Sequence, residues 1–279
     1  MPLNTLTTIT ESLKTLLLRG LLAGLIAGLL GGAVAFALGE PHVQAAIEIE
    51  ESNAAAEEPD HHASEAEPGT HEHGTAATDE STDATEAEGH SHGDDELVSR
   101  TGQRFGLFLA TGFAGLALGA IFSVVVHYAR RFTALPGPLL AAVVAGCGWL
   151  AIEAVPFFKY PANPPAVGDP DTINERTLLW LTSVILGLIA VAAAVYVGRV
   201  LKNQELVSVR AIGQIAAFLV VVAVGYIALP GINEVGEDFP ATLLWQFRIS
   251  SLATQASLWL ALGLAFAFLT ERAQRRAIR

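Results

Sequence analysis

Sulfur is almost absent from this chain. Cys147 is the only cysteine and Met1 the only methionine, so no disulfide can form within one chain. A thiolate or copper(I) site is disfavoured for the same reason, because such sites need soft sulfur ligands. The ligands that remain are imidazole and carboxylate groups, which suit divalent cations of intermediate hardness.

Charge is scarce as well. Charged residues make up 16% of the chain and hydrophobic residues 52%, whereas an ordinary soluble domain is about 25% charged. The sequence also lacks a His-Glu-x-x-His motif, a Gly-x-x-x-x-Gly-Lys phosphate loop and a serine nucleophile beside a histidine within its apolar runs. We therefore expect a lipid environment, no enzyme, no tightly bound cofactor and no nucleic-acid partner.

Six apolar runs are long enough to cross about 30 Å of hydrocarbon as helices. They are residues 20–38, 105–126, 137–155, 178–197, 211–229 and 252–269. The sequence thus predicts an all-α integral membrane protein with a six-helix transmembrane bundle. Residues 1–38 would hold a cytoplasmic segment and the first helix, residues 39–104 an external loop, and residues 105–279 five helices and a cytoplasmic C-terminus.

The basic residues give an orientation, because loops rich in Lys and Arg are retained in the cytoplasm. Of the 16 Lys and Arg, eleven lie on the side of the two termini and five on the other side. Both termini are therefore predicted to face the cytoplasm, in a plasma membrane. The connection between the first two spans would then lie outside.

That external loop is acidic and rich in histidine. Residues 40–99 hold 18 of the 28 carboxylates and no Lys or Arg, and residues 50–99 are too polar and repetitive to form a core, which predicts disorder. Paired imidazoles favour chelation of cobalt, nickel, copper or zinc, although a solvated acidic spacer is the alternative. The candidate ligands are His42, His61, His62, His71, His73, His90 and His92.

Three carboxylates complete the predicted metal site. Glu153 lies near the outer end of an apolar run, where a charge is expensive unless a permeating cation, Lys159 or nearby water compensates it. Glu40 and Asp169 share the outer face with a proline-rich connection around residues 159–171, whose stiff backbone would either line an ion entrance or merely shorten the loop.

Two further patterns concern packing. Glycines recur every fourth residue in the first run (Gly20, Gly24, Gly28 and Gly32), with Gly115 and Gly119 in the second, which favours close helix packing over a groove for a partner helix. The connections after the third and fifth runs also echo one another, with Asn163 and Asn233 each followed by a Thr-Leu-Leu-Trp segment, which suggests a repeated hairpin.

The longest distinctive segment runs from Pro156 to Pro170, with the sequence PFFKYPANPPAVGDP, and Gly39-Glu40-Pro41 precedes it. Together these segments resemble the CbtA family of proposed cobalt transporter subunits. The resemblance covers nearly the whole chain apart from the histidine-rich loop. It implies a bacterial inner-membrane protein with about five spanning helices, a role in cobalt supply and a small one-helix partner, CbtB.

The sequence therefore supports two hypotheses. In the first, the outer loop gathers Co²⁺ or Ni²⁺, and the bundle passes the ion inward past Glu40, Glu153 and Asp169. Export of the metal is an alternative form of this hypothesis, because the inward direction of transport rests chiefly on the resemblance. In the second, the chain is a metal sensor or scaffold that binds metal in its loop and transports nothing.

Overall fold

The computed structural model of the chain describes residues 12–57 and 99–277. Within these ranges six helical segments are long and apolar enough to cross a membrane, which confirms the six predicted spans. They are Leu13–Ala54, Arg100–Ala129, Gly137–Lys159, Pro170–Asn203, Val207–Ala228 and Ala241–Arg276. No strand occurs in the described residues, so the predicted all-α class is confirmed.

The helices divide these spans as follows. They are α1 (Leu13–Val34), α2 (Glu40–Glu57), α3 (Arg100–Ala129), α4 (Gly137–Trp149), α5 (Val155–Lys159), α6 (Ile173–Val200), α7 (Val207–Ala228) and α8 (Ala241–Ala277). Serine hydroxyls cap two of them: Ser12 accepts from the Thr15 backbone N–H, and Ser99 accepts from that of Gly102, each at 3.3 Å. Such caps satisfy N–H groups that the first helical turn leaves unpaired.

Two spans contain a short π-helical segment, and proline explains both. The first segment, Ala35–Gly39, joins α1 to α2, and the second, Leu150–Ala154, joins α4 to α5. Each ends two residues before a proline, Pro41 and Pro156 respectively. Because a proline ring lacks an N–H and clashes with the carbonyl four residues earlier, a locally widened helix lets the span continue through it.

The glycine strip of α1 packs against α3. A Cβ added to Gly24 would overlap the Gly115 carbonyl oxygen, and a Cβ on Gly119 would overlap that of Gly20. Two antiparallel backbones therefore lie in direct contact, which only glycine permits. The strip is thus occupied within the chain, in agreement with the packing interpretation.

The core lies among α1, α3, α4 and α8. Phe122 and Phe266 meet edge to face there, with ring centroids 5.1 Å apart, beside the buried Leu16 and Leu262. The pair formed by α6 and α7 joins this core mainly through the second π segment, where Gly187 lies directly against the Ala151 carbonyl. No residue of α7 is buried.

The first span is longer than predicted. Its helix continues to Glu57, although the sequence predicted disorder from residue 50, because alanine and glutamate at residues 54–57 are strong helix formers. The rest of the predicted histidine-rich tract, residues 58–98, lies outside the described residues. Below, the loop end means the end of the bundle with the α5–α6 and α7–α8 connections, and the terminus end means the opposite one.

Candidate functional site

The predicted metal ligands separate into those that the structure describes and those that it does not. Glu40, His42, Glu153 and Asp169 are described. The other six, His61, His62, His71, His73, His90 and His92, lie outside the described residues. Within residues 12–57 and 99–277 no three His, Cys, Asp or Glu side chains come together as a metal-binding group. Glu40 and His42 lie at the start of α2, Glu153 lies in the second π segment and Asp169 in the α5–α6 connection, and their role as ligands stays a prediction.

Glu40 is neutralised by arginine. Its Oε1 atom lies 2.9 Å from Nη2 of Arg100 and 2.6 Å from Nε of Arg104, both at the start of α3. The Glu40 side chain is only 14% exposed, and Nε of Arg100 also donates to Gln44 at 3.0 Å. This cluster ties the first span to the second, and the half-buried His42 lies two residues further along α2.

Glu153 has no such partner. It lies half-buried in the π segment Leu150–Ala154 and accepts one hydrogen bond, from the indole Nε1 of Trp259 on α8, at 3.3 Å. Gly148 makes this approach possible, because any side chain there would overlap the Trp259 ring. Among the described residues no basic side chain forms an ion pair with Glu153.

Lys159, the basic residue that the sequence offered as a partner for Glu153, is engaged elsewhere. The helix does continue past Pro156 to Lys159, but the Lys159 ammonium donates to the Tyr226 carbonyl on α7 at 3.0 Å. That carbonyl would otherwise face Pro230, four residues on, which has no N–H to donate. The lysine therefore satisfies a helix end and leaves Glu153 uncompensated.

The two connections at the loop end border an open cavity with a volume of about 370 Å³. We call it the loop-end cavity. Its polar lining residues are Tyr160, Asn163, Arg176, Thr177, Asn233, Glu234 and Arg248, and Trp180 adds an aromatic wall. The Tyr160 hydroxyl donates to the Pro230 carbonyl at 2.8 Å, and burial raises the pKa of Tyr160 above its ordinary value. Residues of the two similar connections, after the third and fifth apolar runs, thus line the same cavity.

Asp169 shapes the α5–α6 connection at the rim of that cavity. Its Oδ1 accepts from the Asp171 backbone N–H at 2.9 Å, so the side chain caps the short 3₁₀ turn that leads into α6. The preceding Gly168 has φ +128°, and a Cβ there would meet the Arg176 guanidinium. The sequence therefore needs glycine at 168 both for its backbone conformation and for the close approach.

Glu234 links the two connections, and the sequence reasoning missed it. It accepts from the Thr172 hydroxyl at 2.5 Å and from the Asp169 backbone N–H at 3.1 Å, and it forms a 3.2 Å ion pair with Arg176. The Thr172 hydrogen bond is the main cause of a lowered pKa for Glu234, helped by the Asp169 N–H and the Arg176 charge. Glu234 directly follows Asn233 in the second of the two similar connections, and this position is the sequence feature that could have indicated its role.

Arg248 lines the cavity from the first turns of α8. Its Nε donates to the Ala162 carbonyl at 3.3 Å and its Nη2 to the Asn163 side-chain oxygen at 2.9 Å. Both acceptors are neutral, and no carboxylate of the described residues lies within 4.0 Å of it. The lining that the structure describes therefore carries two guanidinium groups and one carboxylate, that of Glu234.

Comparison with known proteins identifies the chain over nearly its full length. The family model for CbtA, described as a probable cobalt transporter subunit, matches residues 13–271. No curated protein matches the chain. No solved structure matches it either.

Proposed function

Since the chain belongs to the CbtA family of probable cobalt transporter subunits, we propose that it takes up a divalent transition metal through the membrane, with cobalt as the first cargo and nickel as the second. The observation that carries the proposal is Glu153. It is a carboxylate inside a membrane span, with a single indole hydrogen bond and no basic partner among the described residues. Ionisable groups in such positions mark ion pathways.

The surroundings of Glu153 suit a site that an ion visits and leaves. A carboxylate at the centre of a bilayer costs about 2.5–3.5 kcal/mol and less toward the interface, and a passing dication offsets that cost without a permanent counter-ion. The π segment Leu150–Ala154 supports the same interpretation, because π-bulges occur frequently at functional sites. One carboxylate supplies few ligands, so the ion keeps part of its water shell there.

The orientation and the histidine-rich loop belong to the same proposal. In the order of the predicted spans, eleven of the 16 Lys and Arg fall on the same side as the two termini, which supports cytoplasmic termini in the bacterial inner membrane. The loop that contains His61, His62, His71, His73, His90 and His92 then lies outside, where paired imidazoles gather dilute metal. Its role is capture, whereas Glu153 serves passage.

A partner subunit completes the proposal. The family description calls its members subunits, and a small single-helix protein of the CbtB kind is the partner that the resemblance implies. The chain shows no nucleotide-binding motif, so the driving force would come from an ion gradient, the membrane potential or a partner. The partner is therefore included in the experiment below.

Cellular metal content tests the proposal directly. Metal-starved cells that express the chain with the CbtB-like partner should contain more cobalt than cells with the partner alone, by elemental analysis. Glu153→Gln keeps an acceptor for Trp259 but loses the charge, so we expect at least about a tenfold lower uptake rate, equivalent to about 1.4 kcal/mol. Glu205→Gln, an exposed change in the α6–α7 turn at the terminus end, is the matched control.

Other outcomes would reassign the function. A fall in cobalt would reverse the direction to export, and unchanged cobalt with verified membrane expression would favour the sensor or scaffold. Undiminished transport by Glu153→Gln would remove Glu153 from the pathway.

Deletion of residues 57–92 separates capture from passage. The deletion removes six of the paired histidines, so uptake at low external cobalt should fall while the maximal rate at high cobalt is kept. A metal sensor would instead lose its response at every concentration. Uptake measured over a range of cobalt concentrations distinguishes the two.

A further inference from the structure

The loop-end cavity has the wrong charge for a bare metal ion. Among the described residues that line it, Arg176 and Arg248 are basic and Glu234 is the one carboxylate, and the Glu234 carboxylate is already bound by Thr172, the Asp169 N–H and Arg176. Two guanidinium groups repel a dication, and they attract an anion. We propose that the loop-end cavity binds a small organic anion with two or more carboxylates, of the citrate type.

Arg248 is the principal donor for such an anion. A guanidinium carries five N–H groups and pairs with a carboxylate through two parallel hydrogen bonds. In the structure Arg248 donates only to neutral oxygens, those of Ala162 and Asn163. Those two hydrogen bonds hold the guanidinium at the cavity. Because neither acceptor is charged, the positive charge of Arg248 can attract an incoming carboxylate.

Arg176 offers a second point of attachment. Its Nη1 binds Glu234, and its Nη2 donates to the Asp169 backbone carbonyl at 3.3 Å. Each Nη atom carries two N–H groups, so a carboxylate in the cavity can accept from the second N–H of either atom. Two arginines that line one space suit a ligand with at least two carboxylates.

The remaining lining fits the same class of ligand. A volume of about 370 Å³ lies in the range of small-molecule pockets, roughly 300–1,000 Å³. The carboxamides of Asn163 and Asn233 can bond to hydroxyl or carboxylate groups, and Trp180 and Tyr160 cover the carbon skeleton. The cavity is therefore large enough for a polycarboxylate and much larger than one metal ion needs.

The anion has two possible sources, free carboxylate or a carboxylate chelate of the transported metal. The second source rests on the proposed function, because it would mean that the metal arrives outside as an anionic complex and leaves its ligand at the cavity. Binding of the anion itself does not depend on transport. The experiment therefore measures binding with and without metal.

Titration calorimetry of the purified full chain in detergent micelles tests the proposal, with citrate, cobalt citrate, cobalt chloride and inorganic phosphate as separate ligands. We expect citrate to bind, with an affinity that falls as salt is added, and to bind more tightly than phosphate. Tighter binding of cobalt citrate than of citrate would identify the chelate as the source, and equal binding would identify the free anion.

Asn233→Asp is the decisive variant. The Asn233 side-chain oxygen accepts from the Val235 N–H at 3.4 Å, and aspartate preserves that bond while it adds a negative charge to the lining. Citrate affinity should fall at least about tenfold through like-charge repulsion. Asn203→Asp, the same change on an exposed site at the terminus end, should leave it unchanged.

Two additional variants complete the design. Arg248→Gln should abolish citrate binding, and Arg248→Lys should keep part of it. Glu153→Gln should leave citrate affinity unchanged. The citrate proposal can therefore be tested even if the transport prediction for Glu153 fails. Absence of citrate binding, equal binding of phosphate, or equal effects of Asn233→Asp and Asn203→Asp would each overturn the proposal.

Discussion

Glu40 and Glu153 occupy similar positions in the chain but opposite electrostatic environments. Each lies in or directly after a π segment that precedes a proline. Glu40 binds two guanidinium groups from α3 at 2.9 and 2.6 Å, whereas Glu153 binds one neutral indole N–H. A π segment before a proline therefore precedes or contains both glutamates, but one glutamate joins two spans through ion pairs and the other has no ionic partner among the described residues.

The comparison separates stability from function. A carboxylate with two ionic partners stabilises the fold, and its loss leaves two arginines that repel each other. A carboxylate without an ionic partner contributes little to stability, so its retention needs another explanation, such as a passing cation. Substitutions at the two glutamates should therefore have opposite consequences.

Glu40→Gln should give the largest loss of stability. It removes the charge that holds Arg100 and Arg104 together, and hydrogen bonds to charged groups contribute about 1.5–3 kcal/mol each. Denaturant or thermal unfolding in detergent micelles measures the change in free energy. Glu153→Gln removes a carboxylate that has no ionic partner among the described residues, so we expect no loss of stability while the uptake rate falls at least about tenfold.

Glu271→Gln is the matched control for that experiment. Its pair with Arg275 lies four residues along α8, with side chains 37% and 77% exposed respectively, so the expected loss is about 0.3–0.5 kcal/mol. If Glu40→Gln and Glu271→Gln proved equally stable, the contrast between the two π-segment glutamates would fail.

Glu234 adds a third environment, with one guanidinium and hydrogen bonds from Thr172 and Asp169. Its pKa is lowered, chiefly by Thr172, so the charged form is favoured on folding. The stability that it contributes is present above the ordinary glutamate pKa, about 4.3, and is lost as pH falls through the lower folded value. Glu234→Gln should therefore be less stable than the parent at neutral pH.

The difference between Glu234→Gln and the parent should disappear in acid, where both side chains are neutral. Thermal unfolding of the two proteins, measured from neutral pH to about pH 3, gives this difference in stability at each pH. Glu205→Gln, which removes an exposed carboxylate from the α6–α7 turn, should show no such trend. A difference independent of pH would mean that shape rather than charge holds the two loops together.

The sequence predicted the parts of the fold that depend on local composition. Hydropathy alone located all six spans, and the spacing of Gly20, Gly24 and Gly28 predicted the close packing that α3 provides. The ends of the helices were predicted less accurately. The first span continues through Pro41 by means of a π segment. A proline normally ends such a helix, and the pattern of apolar residues does not record the exception.

The site was harder to predict, because it depends on contacts between distant residues. Glu153 was identifiable as a charge in an apolar run, but its partner Trp259 lies 106 residues away. Glu40 and Asp169 were grouped with it by face alone, whereas their actual partners are two arginines and the backbone of a 3₁₀ turn. Glu234 and Arg248 escaped notice, because nothing in their local sequence shows that two loops meet.

Trp259→Phe should produce the smallest effect and test the Glu153 environment most finely. Phenylalanine keeps an aromatic ring at position 259 but removes the indole N–H from which Glu153 accepts a hydrogen bond at 3.3 Å. Hydrogen bonds between membrane helices contribute about 0.6 kcal/mol, equivalent to roughly a threefold change in affinity. We expect cobalt uptake at subsaturating metal to change by about that factor, with expression and unfolding close to the parent. Trp245→Phe, at a tryptophan that is 63% exposed, is the control. Because Glu153 keeps its charge in this variant, a loss as large as that of Glu153→Gln would mean that the indole, rather than the carboxylate, governs passage.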